Sequence, residues 1–184
     1  HETEKIHARV RRYTGPDEHP FYNDLPAPIL KPLRFEESPL CPNAVNINNE
    51  IRSVYEEKLV PFICEAGDDA QYGSSSVCDV ANLQALSRRI HYGKFVAESK
   101  YQNAPARFAQ AIADGDEAAL IRLITDTAVE EKVLQRVERK ARTYGQDVDT
   151  DQTVSPSFKI EPVRVVELYE EWIIPMTKKV ECAY

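Results

Sequence analysis

No run of this sequence is long and apolar enough to cross a bilayer. The longest apolar stretch, around residues 59–64, falls far short of the roughly 20 residues a spanning helix needs. Glycine is scarce, six in 184 residues, and no Asn-Gly or Asp-Gly pair is flanked by alternating apolar positions, so the strongest hairpin signal is missing. The four cysteines, Cys41, Cys64, Cys78 and Cys182, form no CxxC and no Cys/His ligand spacing, so neither a zinc site nor a disulfide framework is expected. The histidines (His1, His7, His19, His91) are scattered, and His91 reads as a packing residue of a helix rather than a ligand. There is no GxSxG, no Ser/His pairing and no glycine-rich phosphate loop. Repeats, sustained heptads and low-complexity tracts are absent too. Positive charge is the minority sign: 23 Lys and Arg against 30 Asp and Glu, a net charge of −7 and a pI near 5.2. That balance argues against nucleic acid or an anionic membrane as main partner, and an anionic small molecule would need a local cationic pocket. No signal or transit peptide is visible, and the chain opens at His1 in what already reads as a helix.

What is present is helical period and proline. Residues 1–13 carry a helical charge pattern that stops at Thr14-Gly15-Pro16. From there to about residue 46, Pro16, Pro20, Pro26, Pro28, Pro32, Pro39 and Pro42 exclude regular helix, leaving an extended connector. Phe21, Tyr22, Leu30, Leu33 and Phe35 are expected to pin it by packing. Helix resumes over 46–64 on Ile47, Ile51, Val54, Tyr55, Leu59 and Phe62, with Pro61 kinking it or confining its last turn. Two short helices at 105–114 and 116–125 precede a longer one at 125–144, and the polar 146–157 segment is expected to be mobile. A last helix begins at Glu161-Pro162 and should bend at Pro175. The fold class is all-α.

The centre of the chain is 82–103, NLQALSRRIHYGKFVAESKYQN, one long helix with Ser74, Ser75 and Ser76 as N-cap candidates. Leu83, Leu86, Ile90, Gly93 and Ala97 make its apolar stripe. Arg89 and Lys100 are eleven residues apart, so they project in nearly one direction with Cα atoms roughly 16 Å apart. Long side chains on that face could converge on a small dianion. By spacing alone, Arg88, Arg89, Lys94 and Lys100 read more readily as a solvated helix surface.

LSRRIHYGKFVAESKYQ closely resembles the central active-site helix of the all-helical chorismate mutases of fungi and plants. RVRRYTGPDEHPFYND, YGSSSVCD, TAVEEKVLQRVERKARTYGQ and WIIPMTKKVECAY resemble segments of the same family in the same order, so the resemblance covers nearly the whole chain. It implies one domain over 1–184: a helical bundle with a Pro-rich connector after the first helix, usually a homodimer. It also implies a further helix before His1 and a short tail after Tyr184, so the chain is expected to be truncated at both ends.

The activity implied is the rearrangement of chorismate to prephenate in phenylalanine and tyrosine synthesis, which needs no nucleophile, metal or cofactor. Cations and donors suffice if they hold a flexible dicarboxylate and steady the departing ether oxygen. The resemblance gives Arg89 a substrate carboxylate, Lys100 the ether oxygen and Glu130 the substrate hydroxyl. Thr177 and Glu181 complete the pocket, and their i,i+4 spacing puts both on one helix face. Glu181 helps only when protonated, since a carboxylate would repel the substrate's own charges. Asp126 stands where some relatives place an asparagine near the hydroxyl. The family's first helix supplies another carboxylate-binding arginine with no counterpart here, so the chain as written is expected to be weakly active or inactive.

An effector site for tryptophan, tyrosine or phenylalanine is implied at Arg11 and Arg12 with Gly73, Ser74 and Val77, while Glu161 replaces a threonine implicated in switching. On residue pattern alone, Gly73 and Ser74 read equally as part of a capping loop. A non-catalytic helical dimer that binds aromatic amino acids or a protein partner is the alternative reading, and a secreted chorismate-depleting form is a third. A cytoplasmic or plastid location is expected.

Overall fold

The computed structural model describes residues 1–31, 38–146 and 157–184. Leu33, Phe35 and most of the 146–157 segment lie outside them. Helix α1 spans Glu2–Arg9 and stops short of its expected end, because Arg11 takes left-handed angles (φ 73°, ψ 22°) that a right-handed helix cannot continue through. A single 3-10 turn, Arg12–Thr14, leads into the proline-rich connector.

Helices α2 (Asn48–Val54) and α3 (Val60–Ile63) are joined by a wide π turn, Tyr55–Leu59. The last two helices, α9 (Pro162–Leu168) and α10 (Ile174–Ala183), are joined in the same way by Tyr169–Ile173. Each wide turn ends two residues before a proline, Pro61 or Pro175. Proline cannot donate to the carbonyl four residues back, and its ring crowds that carbonyl. Widening the preceding turn removes the conflict, so the bend expected at Pro175 takes the form of a π turn and the helix runs on.

The centre holds α4 (Tyr72–His91) and α5 (Gly93–Asn103). Tyr92 between them keeps right-handed angles (φ −60°, ψ −17°), so the two form one rod about one turn longer at its start than expected near Ser74 to Ser76. The serines are not its cap. Asp69 accepts from the Gln71 N–H at 2.8 Å and from the Ser75 hydroxyl at 2.7 Å, which settles the entry before the serines are reached. Helices α6 (Pro105–Asp114), α7 (Glu117–Ile124) and α8 (Thr127–Tyr144) follow; α6 ends on Gly115 at φ +62°, and Asp116 and Asp126 cap α7 and α8.

Ile51, Leu59, Ile90, Leu168, Ile173, Met176 and Val180 form the core where α2, α4 and the α9–α10 rod meet. Full burial of each large side chain is worth about 1.5–3 kcal/mol. Ile90, Gly93 and Ala97 of the expected stripe are buried, and Leu83 and Leu86 are half-buried. A second stripe, Gln84, Ser87, His91, Lys94 and Glu98, is equally buried although every member is polar. It survives burial because each member has a partner. Gln84 donates to Glu4, Ser87 donates to Asn48 at 2.6 Å, and Glu98 accepts from Gln102 at 2.7 Å and from the Tyr184 hydroxyl at 2.5 Å. His91 lies 2.9 Å from the Ser87 carbonyl through Nδ1 and accepts from the Ile47 N–H at 3.0 Å through Nε2. Lys94 Nζ lies 2.9 Å from His19 Nε2.

The same groups pin the connector. Buried Glu4 accepts from the Phe21 and Tyr22 N–H groups at 3.0–3.2 Å, and Asn48 donates to the His19 and Pro20 carbonyls. Phe21 packs against the core as expected, whereas Leu30 is 44% exposed and pins nothing.

His19 stacks on His91 with ring centroids 4.3 Å apart. Burial, first of all, lowers both imidazoles to about 4, joined at His19 by His91 and then Lys94 and at His91 by Lys94; Asp17 offsets part of this at His19 and the Ser87 carbonyl part of it at His91. Their neutral forms therefore belong to the folded state. The unfolded chain binds more protons between pH 6.5 and 4, so stability is full above that window and drains away as pH falls through it. For His91, which is 1% exposed, the loss at pH 5 is on the order of 2 kcal/mol. Urea midpoints at pH 7 and pH 5 are expected to show this, and His91→Asn to shrink the difference.

Candidate active site

Helix period carries Arg89, Gly93 and Lys100 on one face of the central rod. The face meets α10 at Gly93, where a Cβ would lie 2.9 Å from the Thr177 carbonyl oxygen and 3.2 Å from both Thr177 Cγ2 and Glu181 Cγ. Close approach at the glycine brings Lys100 onto Glu181, with Nζ to Oε2 at 2.9 Å. The ammonium also donates to the Ile124 carbonyl at the end of α7. Two of its three N–H bonds are thus engaged among the described residues, and the third has no partner among them.

Glu181 has a side chain only 7% exposed. Burial pushes its carboxyl above the usual carboxylate range, against the opposing pull of Lys100 and, more weakly, Lys178. Burial likewise raises the Cys182 thiol beside it, assisted by Glu117 and Glu181. Thr177 is 8% exposed and donates its hydroxyl to the Ile173 carbonyl at 2.7 Å.

Glu130 projects from the first turn of α8 and pairs with Lys178 of α10 at 2.7 Å, both half-buried. Lys178 was not among the residues singled out from sequence. Its charge partner sits 48 positions away on another helix, so no local spacing exposes it. Arg89 is half-buried and has no hydrogen bond or ion pair among the described residues. Asp126 is exposed and spends its carboxylate on the α8 cap, accepting from the Val129 N–H at 3.1 Å.

A cavity of about 730 Å³ opens beside this contact between α5, α6, α7 and α10, walled by Tyr101, Phe108, Leu120, Ile124 and Tyr184 with Glu181 at its edge. Lys100 and Arg89 do not line it. The cationic face and the apolar cavity are therefore neighbours that share Glu181.

The residues proposed for effector binding are not joined within one chain. Arg11 donates to the Lys31 carbonyl at 2.5 Å, and Arg12 pairs with Glu18 at 3.1 Å. Gly73 and Ser74 lie exposed in the first turn of α4, and Val77 is 68% exposed. No hydrogen bond or ion pair among the described residues links the two groups.

A family model described as chorismate mutase type II matches residues 71–182, the stretch that contains the whole cationic face and its partners. The chain belongs to that family. It is 46% identical over 188 residues to Arabidopsis thaliana chorismate mutase 3, chloroplastic, an alignment covering 100% of this chain and 60% of the relative. The chain thus spans less than two thirds of that plant family member. It superposes with a TM-score of 0.90 and 46% identity on the crystal structure of AtCM1 with tyrosine bound in its allosteric site, covering 100% of this chain and 73% of that one. Chorismate mutase Aro7p from Candida albicans, in complex with L-Trp, aligns at a TM-score of 0.87 and 40% identity over 98% of this chain and 69% of its own. The all-helical architecture is the family's.

Proposed function

We propose that this chain carries the rearrangement of chorismate to prephenate, in the supply of phenylalanine and tyrosine. The observation that supports it is the Lys100–Glu181 pair, set across the Gly93 crossing on the rod face that also bears an uncommitted Arg89. Arg89 offers a planar fork to one substrate carboxylate. Lys100 directs its remaining N–H at the ether oxygen, where negative charge grows as the carbon–oxygen bond breaks and the new carbon–carbon bond forms. Glu181 donates to the same oxygen from its protonated form, which burial favours. Glu130, steadied by Lys178, receives the substrate hydroxyl, and Thr177 lines the approach of a carboxylate. The substrate's own atoms make and break every bond, so the protein's task is orientation and charge.

Loss of chorismate absorbance, followed with the full-length protein at concentrations where the uncatalysed rate is negligible, tests the reading. Turnover well above background is the expected result. Tight binding of chorismate without turnover would instead favour a helical protein that binds without catalysis.

Glu181 yields a sharper expectation. Activity should decline as pH rises through its folded pKa, and Glu181→Gln, which keeps a donor at all pH values, should flatten that limb. A substituted enzyme whose pH–rate curve overlays the original would remove Glu181 from this role.

Regulation and assembly extend the proposal. The N-terminal half of α4 stands almost wholly exposed, with Tyr72 at 69% and Val77 at 68%, an arrangement suited to a second copy of the chain. A partner could then bring Arg11 and Arg12 to Gly73 and Ser74, which no hydrogen bond or ion pair among the described residues links within one chain, and close a site for tyrosine, phenylalanine or tryptophan. We propose a cytoplasmic or plastid location, the latter in line with plant relatives named as chloroplastic. No described helix is long and apolar enough to cross a membrane.

A further inference from the structure

We infer that Gly93 is a positioning residue for the proposed reaction: its missing side chain sets the distance between the central rod and α10 and so seats Thr177 against the rod and holds Glu181 within reach of Lys100. This rests on the chorismate reading given above.

Glycine inside a helix is unfavourable relative to alanine, so one there calls for a local reason. Backbone geometry is not that reason. Among the described residues only Gly115 is a glycine at positive φ, and Gly93 takes ordinary right-handed angles. Space is the reason. A methyl at 93 would stand 2.9 Å from a backbone oxygen, which no side-chain rotation relieves, and 3.2 Å from Glu181 Cγ. Helix α10 cannot back away freely, because Met176 and Val180 on the same helix are locked into the core with Ile51 and Ile90. The remaining adjustment is a shift or roll of α10 that carries Thr177 and Glu181 with it and stretches the 2.9 Å bond to Lys100.

Gly93→Ala in the full-length protein tests this. The expected result is a kcat roughly 10- to 100-fold lower with KM changed far less, since a small misplacement of catalytic groups is costly. The alkaline limb of the pH–rate profile should also move to higher pH, because Lys100 is what most lowers the Glu181 carboxyl. Ile90→Val loosens the core one turn earlier without adding an atom at the crossing, and should move neither quantity. A Gly93→Ala enzyme with kcat and limb both within twofold of the original overturns the inference.

A melting-temperature cycle with Glu181→Ala gives a readout independent of chorismate. Removing Glu181 Cγ removes one of the three contacts, so Gly93→Ala should lower Tm less in that background than in the original. Equal losses in both backgrounds overturn the inference. So does a double variant that fails to fold alongside the single one, since relieving the Glu181 contact then recovers nothing. If the unsubstituted protein fails to turn over chorismate, the functional reading falls while the cycle still reports on the crossing.

Discussion

Lys100→Ala is expected to lower kcat by about 10²–10³-fold, the cost of deleting one preorganised donor to a developing oxyanion, or roughly 3–4 kcal/mol. Two things in the structure set the size. The ammonium is anchored twice, on the Ile124 carbonyl and on Glu181, so it needs no reorganisation when the ether oxygen gains charge. It also supplies the largest influence holding the Glu181 carboxyl down against burial. Without it Glu181 protonates more readily, the folded chain carries no stranded buried carboxylate, and the variant should fold. The activity loss should therefore far outrun the stability loss. Steady-state kinetics beside a thermal melt separates the two, and parallel losses would assign Lys100 a structural role instead.

The second large effect is at Arg89. Truncation to alanine removes a charge-assisted grip on a carboxylate, about 2–5 kcal/mol in kcat/KM. Arg89→Lys should recover only part of it, because an ammonium presents a point charge where a guanidinium presents a two-pronged fork. Arg89 has no partner among the described residues, so neither change should move the melting temperature appreciably. That split is the measurement to make. A drop in stability comparable to the drop in kcat/KM would show that the guanidinium supports the fold rather than the substrate.

The helices were legible because their apolar residues recur at 3.6-residue spacing: Ile51, Leu59, Ile173, Met176 and Val180 are core residues, as that period requires. Proline and glycine marked most boundaries, and Pro162 opens α9 where expected. The polar half of the interior was not legible. Gln84, Ser87, His91, Lys94 and Glu98 share a face at helical spacing, but polar residues at that spacing ordinarily face water. Each has a partner 39 to 86 positions away that helps make its burial tolerable, and no local spacing shows those partners. The connector misled for the same reason, since it is held by the carboxylate of Glu4 and the amide of Asn48 rather than by apolar packing alone. At the candidate site, the resemblance named Lys100 and Glu181, and the structure sets them 2.9 Å apart. It did not name Lys178 or Gly93, and helical spacing gave Gly93 no role beyond an apolar stripe.

That polar seam on the central rod also decides what kind of movement the rod can make. Sliding by a residue or turning about its own axis would tear Gln84, Ser87, His91, Lys94 and Glu98 from their partners at once, each an uncompensated dipole or charge in a dry interior. The rod runs roughly 45 Å from Tyr72 to Asn103, with Gly73 near one tip and Lys100 near the other. A change of register or a rotation at either tip is therefore opposed along much of the rod's length, from the Gln84–Glu4 contact to the Glu98–Tyr184 contact.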